Sequence, residues 1–196
     1  MMQNLHVLAA GPLDHKNTSF DNGGVVLSDC SHSPRVGFRG RQADGYLQQR
    51  GYELPAQPNQ ACWQSDGSLV ARLSQTEYLL LAASTESQPR IQQEELQWQM
   101  TELSSFALPR QDTHAWLCLK GEVLAEMMAK LCAVDLSASQ FVAGAVAQTS
   151  VARASALVIN ASRAGKTEFW LLMDYSLAAY FWGVLSDAAT EFAITD

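Results

Sequence analysis

The sequence predicts an α+β fold in which antiparallel sheets and helices form two ferredoxin-like halves related by an internal duplication, and three observations predict it. First, a strand, a glycine turn and a helix follow one another at residues 34–54, with Gly40 at the turn and Ala43, Tyr46, Leu47 and Arg50 on the helix. The same order returns at residues 114–135, with Gly121 at the turn and Val123, Leu124, Met127, Met128 and Leu131 on one helical stripe. Second, Val70-Ala71-Arg72 recurs as Val151-Ala152-Arg153 at the spacing that separates the two glycines. Third, Thr76-Glu77-Tyr78-Leu79-Leu80 returns as Thr167-Glu168-Phe169-Trp170-Leu171 in a lengthened second copy. A strand-helix-strand-strand unit ending in a helix is therefore expected twice, in halves at approximately 25–108 and 113–196, behind a lead-in or docking arm at 1–24.

Each element has a local reason. Residues 11–24 are rich in Gly, Asn, Asp and Ser, which favours an irregular arm. Val25-Val26-Leu27 is a short strand that stops at a polar run ending in Pro34, and proline favours an extended approach to the strand at 35–39. Gly51 caps the first helix because it takes a left-handed conformation without a Cβ penalty, and Pro55 and Pro58 force an irregular connection. Cys62-Trp63 starts a strand, Asp66-Gly67 turns the chain into 69–73, and 78–82 pairs antiparallel with that segment. A helix from about Pro89 carries a stripe of Leu96, Met100 and Leu103, and residues 108–112 form the hinge between the halves. The second half supplies a strand at 115–119, a loop from Asp135 to Gly144, and strands near 145–153, 155–160 and 168–173. Its final helix, near 176–190, is capped by Ser176 and turns Leu177, Tyr180, Phe181, Val184, Leu185 and Ala188 inward.

With 196 residues, 47% of them hydrophobic, the chain can bury a sizeable core. Its net charge of -7 argues against nonspecific nucleic-acid binding, which needs a concentrated basic surface. The arginine cluster Arg35, Arg39, Arg41 and Arg50 is read as pairing with acidic neighbours or a partner subunit. No segment approaches the roughly 20 apolar residues of a membrane span, and the start lacks the basic flank and apolar run of a secretory signal, so the cytoplasm is the expected location. Cys30, Cys62, Cys118 and Cys132 have no CxxC spacing and read as core thiols.

Chemical motifs are sparse. Residues 40–45 lack both the dinucleotide fingerprint and the lysine of a phosphate loop. His6, His15, His32 and His114 do not form a metal-ligand spacing. Asp29 and His32 stand beside Ser28 and Ser31 without a nucleophile elbow, and a capped turn accounts for the same polar atoms. Asp135 has no paired carboxylate to shift its pKa and is expected to bond the following turn. Arg72 and Arg153, matched by the repeat, are expected to anchor equivalent strand ends through carboxylates or carbonyls. No residue is nominated as catalytic, cofactor-binding or metal-binding.

Taken together, Gly11-Pro12-Leu13-Asp14-His15, PRVGFRGRQADGYLQQRG from Pro34, GSLVARLSQTEYLLLA at 67–82, KLCAVDL at 130–136, FVAGAVAQTSVAR at 141–153 and YFWGVLSDAATEF at 180–192 carry a resemblance. In order and spacing the chain resembles the gamma subunit family of heterotetrameric sarcosine oxidase over nearly its whole length from about residue 11. That family is in turn similar to the N-terminal, folate-binding region of the aminomethyltransferases of the glycine cleavage system. Leu27-Ser28-Asp29-Cys30-Ser31-His32 corresponds there to an aspartate-leucine-serine-histidine segment, with Cys30 where leucine is usual, while Gly40 and Ala43 fall on the glycine and alanine opening the next helix. The resemblance implies a non-catalytic subunit with alpha, beta and delta partners, the other subunits using FAD, FMN, NAD, tetrahydrofolate and zinc. The implied complex converts sarcosine to glycine, passes the methylene group to tetrahydrofolate and forms hydrogen peroxide. Gly40, Ala43, Arg72, Gly121, Asp135 and Arg153 are then family-motif or structural positions. Two alternatives stand beside this: a stand-alone scaffold or regulatory protein, and a small folate-binding or aminomethyltransferase-like protein.

Overall fold

Tyr78-Leu79-Leu80-Leu81-Ala82 and Ala115-Trp116-Leu117-Cys118-Leu119 have no polar face, so strands formed from them must be covered on both sides. The computed structural model, which describes residues 11–14, 19–100 and 102–194, meets that requirement with two facing sheets and helices outside them. The rest of the expected arm, including His6 and His15, lies outside the described residues. In chain order the strands are β1 (Ser19–Asp21), β2 (Val26–Asp29), β3 (Arg35–Arg39), β4 (Gln60–Trp63), β5 (Ser68–Arg72), β6 (Glu77–Ala82), β7 (Phe106–Pro109), β8 (His114–Lys120), β9 (Val146–Val151), β10 (Ala154–Asn160) and β11 (Glu168–Asp174). Helices α1 (Ala43–Gln49), α2 (Gln88–Leu96), α3 (Leu124–Ala129) and α4 (Ala178–Ala189) lie among them.

The first sheet runs β1-β2-β8-β11-β10-β9 and the second β4-β5-β6-β3-β7, with every pairing antiparallel. Alternation along each strand divides the core into three layers. Leu69, Ala71, Leu79 and Leu81 face Trp116, Cys118, Ile159, Trp170 and Leu172 between the sheets. On one outer side Leu117, Leu119, Val158 and Leu171 pack with Leu124, Met127, Met128, Phe181 and Leu185; on the other, Phe38, Val70, Tyr78 and Leu80 pack with Ala43, Leu47 and Ile91.

The two halves share the connectivity strand, helix, three-strand meander, helix, and the meander's last strand pairs back onto the first in both. The order differs from the βαββαβ ferredoxin unit in two ways: three strands rather than two lie between the helices, and the strands joined by the first helix run in opposite directions, whereas a split βαβ unit sets them parallel. The tripeptide match does not align equivalent elements either. Val70-Ala71-Arg72 lies within β5, whereas Ala152 and Arg153 form the tight turn after β9 with φ of 49° and 67°. Register instead makes Asn160 the counterpart of Arg72, since they pair with Phe169 and Tyr78, which occupy matching places in the Thr-Glu segments.

The segments that lead into the two halves are exchanged. β2 precedes β3 in sequence but pairs with β8, and β7 precedes β8 but pairs with β3. Residues 30–34 and 110–113 therefore carry the chain from one sheet to the other, and the expected hinge begins inside a strand, β7.

Smaller departures have local causes. α2 stops at Leu96, so the expected stripe is not a buried one: Ile91 is buried and Leu96 and Met100 are exposed. Asp174, not Ser176, caps the 3-10 turn Tyr175–Leu177 that leads into α4, by accepting from the Ser176 N–H. Tyr180 is half-exposed because its hydroxyl reaches out to donate to the Ala152 carbonyl at 2.8 Å.

Candidate functional site

The two crossovers meet at Arg35, whose side chain is buried at the start of β3. Its guanidinium donates to the carbonyls of Ser31 and Ser33 at 2.9 Å each in the first crossover, and to Gln111 at 2.9 Å and His114 at 3.0 Å in the second. Burial lowers its pKa to about 10, against the raising effect of Asp29 and other neighbours, so it keeps its charge at neutral pH. The cluster of arginines seen in the sequence is thus dispersed in function. Arg35 is an internal tie, Arg50 pairs with the buried Glu94, and Arg39 lies 3.9 Å from Glu77.

Beside this crossing a groove of about 830 Å³ opens between the sheets, within the size range of small-molecule sites. Leu73, Leu79, Leu157 and Leu172 give it apolar walls, and Glu77, Arg110, His114 and Asp174 stand around it. These polar groups already have partners. Arg110 bonds Glu77 at 3.0 Å, and Asp174 accepts from the Ser176 N–H and hydroxyl, which holds its carboxyl below the usual range. The Thr113 hydroxyl gives its proton to the Pro109 carbonyl at 3.1 Å, so His114 Nδ1–H is the donor in the 2.8 Å contact with Thr113 and Nε2 is left as an acceptor.

Burial first, then the charges of Arg110 and Arg35, lowers the His114 pKa to about 4. The ring is neutral at physiological pH and cannot serve there as a general acid. It also makes no hydrogen bond to the groove's Thr149, Ser150 or Ser155, so the groove has the volume for a small molecule without an assembled nucleophile-base pair among the described residues. Because the folded pKa lies below the unfolded value of about 6.5, the unfolded chain binds more protons between those limits. Stability is then expected to be complete above about pH 6.5 and to fall by roughly 1–2 kcal/mol toward pH 4, after allowance for solvent screening of this partly exposed ring. Urea titrations across that window should show the slope, and His114→Gln should flatten it.

The six positions singled out from sequence do not assemble into one site. Gly40 and Ala43 share the β3–α1 turn, where Ala43 N–H donates to the Gly40 carbonyl at 3.2 Å, and Gly121 occupies the matching β8–α3 turn. Gly40 and Gly121 have φ of 157° and 149° and donate to the Thr76 and Thr167 carbonyls. Arg72 binds the carbonyls of Pro55 and Ala56 at 3.2 and 2.9 Å and lies over the Tyr78 ring, tying down the loop after α1. Asn160 does the same for the loop after α3 by donating to Phe141 O at 2.5 Å, a role sequence matching assigned to Arg153. Arg153 is an exposed turn residue, and Asp135 is exposed, its pKa lowered first by the Ser137 side chain and then by the Ser137 N–H, from which its carboxylate accepts. Among the described residues no group of His, Cys, Asp and Glu could hold a metal ion, and no helix is long and apolar enough to cross a membrane.

A second feature lies at the edge of the β7 sheet. Leu96 is 76% exposed, Met100 77% and Phe106 46%, and the Trp98 ring lies 6.5 Å from that of Phe106. The sheet edges differ in how they are closed. The β4 and β9 edges join each other through Ala61 N–H to Gly144 O at 2.6 Å and Val146 N–H to Asn59 O at 3.0 Å. β2 is covered by β1, whereas β7, its counterpart in the exchanged arrangement, ends its sheet among the described residues, with Phe106 exposed on it and the Trp98 ring against Phe106.

A family model described as the sarcosine oxidase, gamma subunit family matches residues 42–191. The chain belongs to the sarcosine oxidase gamma subunit family. The fold of this gamma-family chain is similar to that of a chain in heterotetrameric sarcosine oxidase from Corynebacterium sp. U-96 in complex with pyrrole 2-carboxylate. That likeness has a TM-score of 0.75 at 21% identity and covers 96% of this chain and 98% of the other. The glycine cleavage system aminomethyltransferase T from Bartonella henselae is similar with a TM-score of 0.59 at 16% identity, covering 81% of this chain but only 44% of the enzyme. A comparison with curated protein sequences finds no match. The gamma-family fold is thus a mixed α+β one with two antiparallel sheets, shared with the aminomethyltransferase over less than half of the latter's length.

Proposed function

We propose that this chain is a non-catalytic subunit of a heterotetrameric sarcosine oxidase-like complex, docked to alpha, beta and delta partners in the cytoplasm. The observation that carries this reading is the gamma-family match over residues 42–191. In this reading the complex oxidatively demethylates sarcosine to glycine, transfers the methylene group to tetrahydrofolate and forms hydrogen peroxide. FAD, FMN, NAD, tetrahydrofolate and zinc belong to the other subunits, and this chain helps hold the amine-oxidising and folate-using parts in register. Such placement raises the effective concentration of a reactive one-carbon donor at the second site.

The groove supports an independent folate-binding role less well. Its arginine, Arg110, is already neutralised by Glu77 at 3.0 Å, so a folate's glutamate tail would have to displace that carboxylate. The β7 edge, by contrast, suits a protein partner: an extended apolar segment of another subunit adds beside Phe106 and covers Leu96 and Met100. Phe106→Glu and Leu96→Glu should leave stability within about 0.5 kcal/mol, since both side chains are exposed. Each is expected to reduce recovery of the partner subunits in a co-purification about tenfold or more, as a carboxylate is desolvated in the contact. Full recovery with both variants would move the docking surface elsewhere.

A further inference from the structure

We infer that Cys30 and Cys118 are a redox modification site, a thiol pair that reduces a hydroperoxide and closes to an intramolecular disulfide. This goes beyond the subunit reading and does not depend on it. The pair is built by the sheet. β2 and β8 pair with Ser28 opposite Cys118, and Cys30 N–H extends the ladder by donating to the Trp116 carbonyl at 2.8 Å. That places Cys30 two positions beyond the residue facing Cys118, on the same face, and the two sulfurs lie 2.6 Å apart. The two sulfurs already meet, and an S–S bond of about 2.0 Å closes the remaining gap between them.

The surroundings divide the roles. Cys30 is half-buried at the end of β2, so a small peroxide can reach it, whereas Cys118 is buried between the sheets. Burial first, then the bond to Cys30, pushes the Cys118 thiol up, which keeps it protonated and leaves the more exposed Cys30 as the sulfur that meets the peroxide. The Cys30 thiolate attacks one peroxide oxygen, breaking the O–O bond and forming a sulfenic acid with release of hydroxide. The Cys118 sulfur then attacks the Cys30 sulfur, an S–S bond replaces the S–O bond, and the thiol proton leaves with the hydroxyl as water. Two thiols lose two electrons and two protons, and the peroxide becomes two waters. The other cysteines lack this arrangement. Cys62 Sγ contacts the Glu53 carbonyl at 3.3 Å, and Cys132 Sγ lies 4.0 Å from the Thr149 hydroxyl.

The link joins the first residue of the crossover that Arg35 holds, just past β2, to the middle of β8. It closes a long loop, so the oxidised protein is expected to melt about 5 °C or more above the reduced one. The test treats the full chain, in the assembly in which it purifies, with hydrogen peroxide and reads its mass and its alkylation pattern. The expected result is a loss of about 2 Da, a linked peptide pair containing Cys30 and Cys118, restoration by dithiothreitol, and Cys62 still open to alkylation. Cys30 advancing to a sulfinic acid while Cys118 stays alkylatable would overturn the assignment, and so would a chain whose mass peroxide leaves unchanged.

Discussion

Gly40→Ala and Gly121→Ala are each expected to lower stability by roughly 3–5 kcal/mol or to prevent folding altogether. At Gly40 an added Cβ would lie 2.0 Å from the Ser104 carbonyl oxygen and 2.9 Å from the Ser105 Cα. At Gly121 it would lie 2.3 Å from the Gly24 carbonyl oxygen and 3.4 Å from the Val25 Cα. Both obstacles are backbone, which cannot rotate away like the end of a flexible side chain. Both also belong to the exchanged arrangement, since 104–105 lead into β7 and 24–25 lead into β2. Relieving either clash would push a leading strand off the sheet it completes. The positive φ of each glycine adds strain for any residue bearing a Cβ. Gly45 and Gly183 provide the contrast, being in α1 and α4 with open space where a Cβ would go. Alanine at either is expected to be neutral or to stabilise by about 0.5–1 kcal/mol. Urea denaturation of the four variants reads the difference directly, and equal effects at all four would refute the close-approach account.

Arg35→Met is expected to cost about 3–5 kcal/mol by the same measurement. Methionine can occupy much of the space of the aliphatic stem, so packing loss is the smaller part. The larger part is the carbonyls of Ser31, Ser33, Gln111 and His114, which lose a charged donor in a buried or part-buried setting, Ser31 keeping a second donor from Gln111 Nε2. Arg35→Lys should recover little of the loss. One ammonium lacks the planar fork that lets the guanidinium serve both crossovers at once. A loss below about 1 kcal/mol for Arg35→Met would show that the crossovers are held by other contacts.

Much of the fold was legible because local and tertiary demands agree. β6 and β8 are apolar on both faces and lie between a sheet and helices, and Gly40 and Gly121 follow their strands in the same local setting. The exchange of β2 and β7 was not legible, since pairing partners far apart in sequence leave no periodicity in either strand. Arg35 looked like one of several surface arginines for a related reason: its partners are backbone carbonyls, and any residue type supplies a carbonyl. Asn160 was hidden because the repeated Val-Ala-Arg pointed to Arg153, and only the β10–β11 register identifies the true counterpart of Arg72. Leu96 and Met100 have the spacing of a buried stripe, yet α2 ends at Leu96 and leaves both exposed, which turns a packing expectation into a docking one. The groove was likewise invisible in sequence, as Glu77, Arg110, His114 and Asp174 are gathered only by the facing of the sheets.

The subunit reading is tested most directly by gentle affinity purification of the chain from its native cells, with the companion masses and the visible absorbance of the eluate measured together. A stoichiometric assembly with one large, one medium and one very small companion and a flavin spectrum is the predicted result. A colourless, solitary chain recovered from cells that express it would contradict the account.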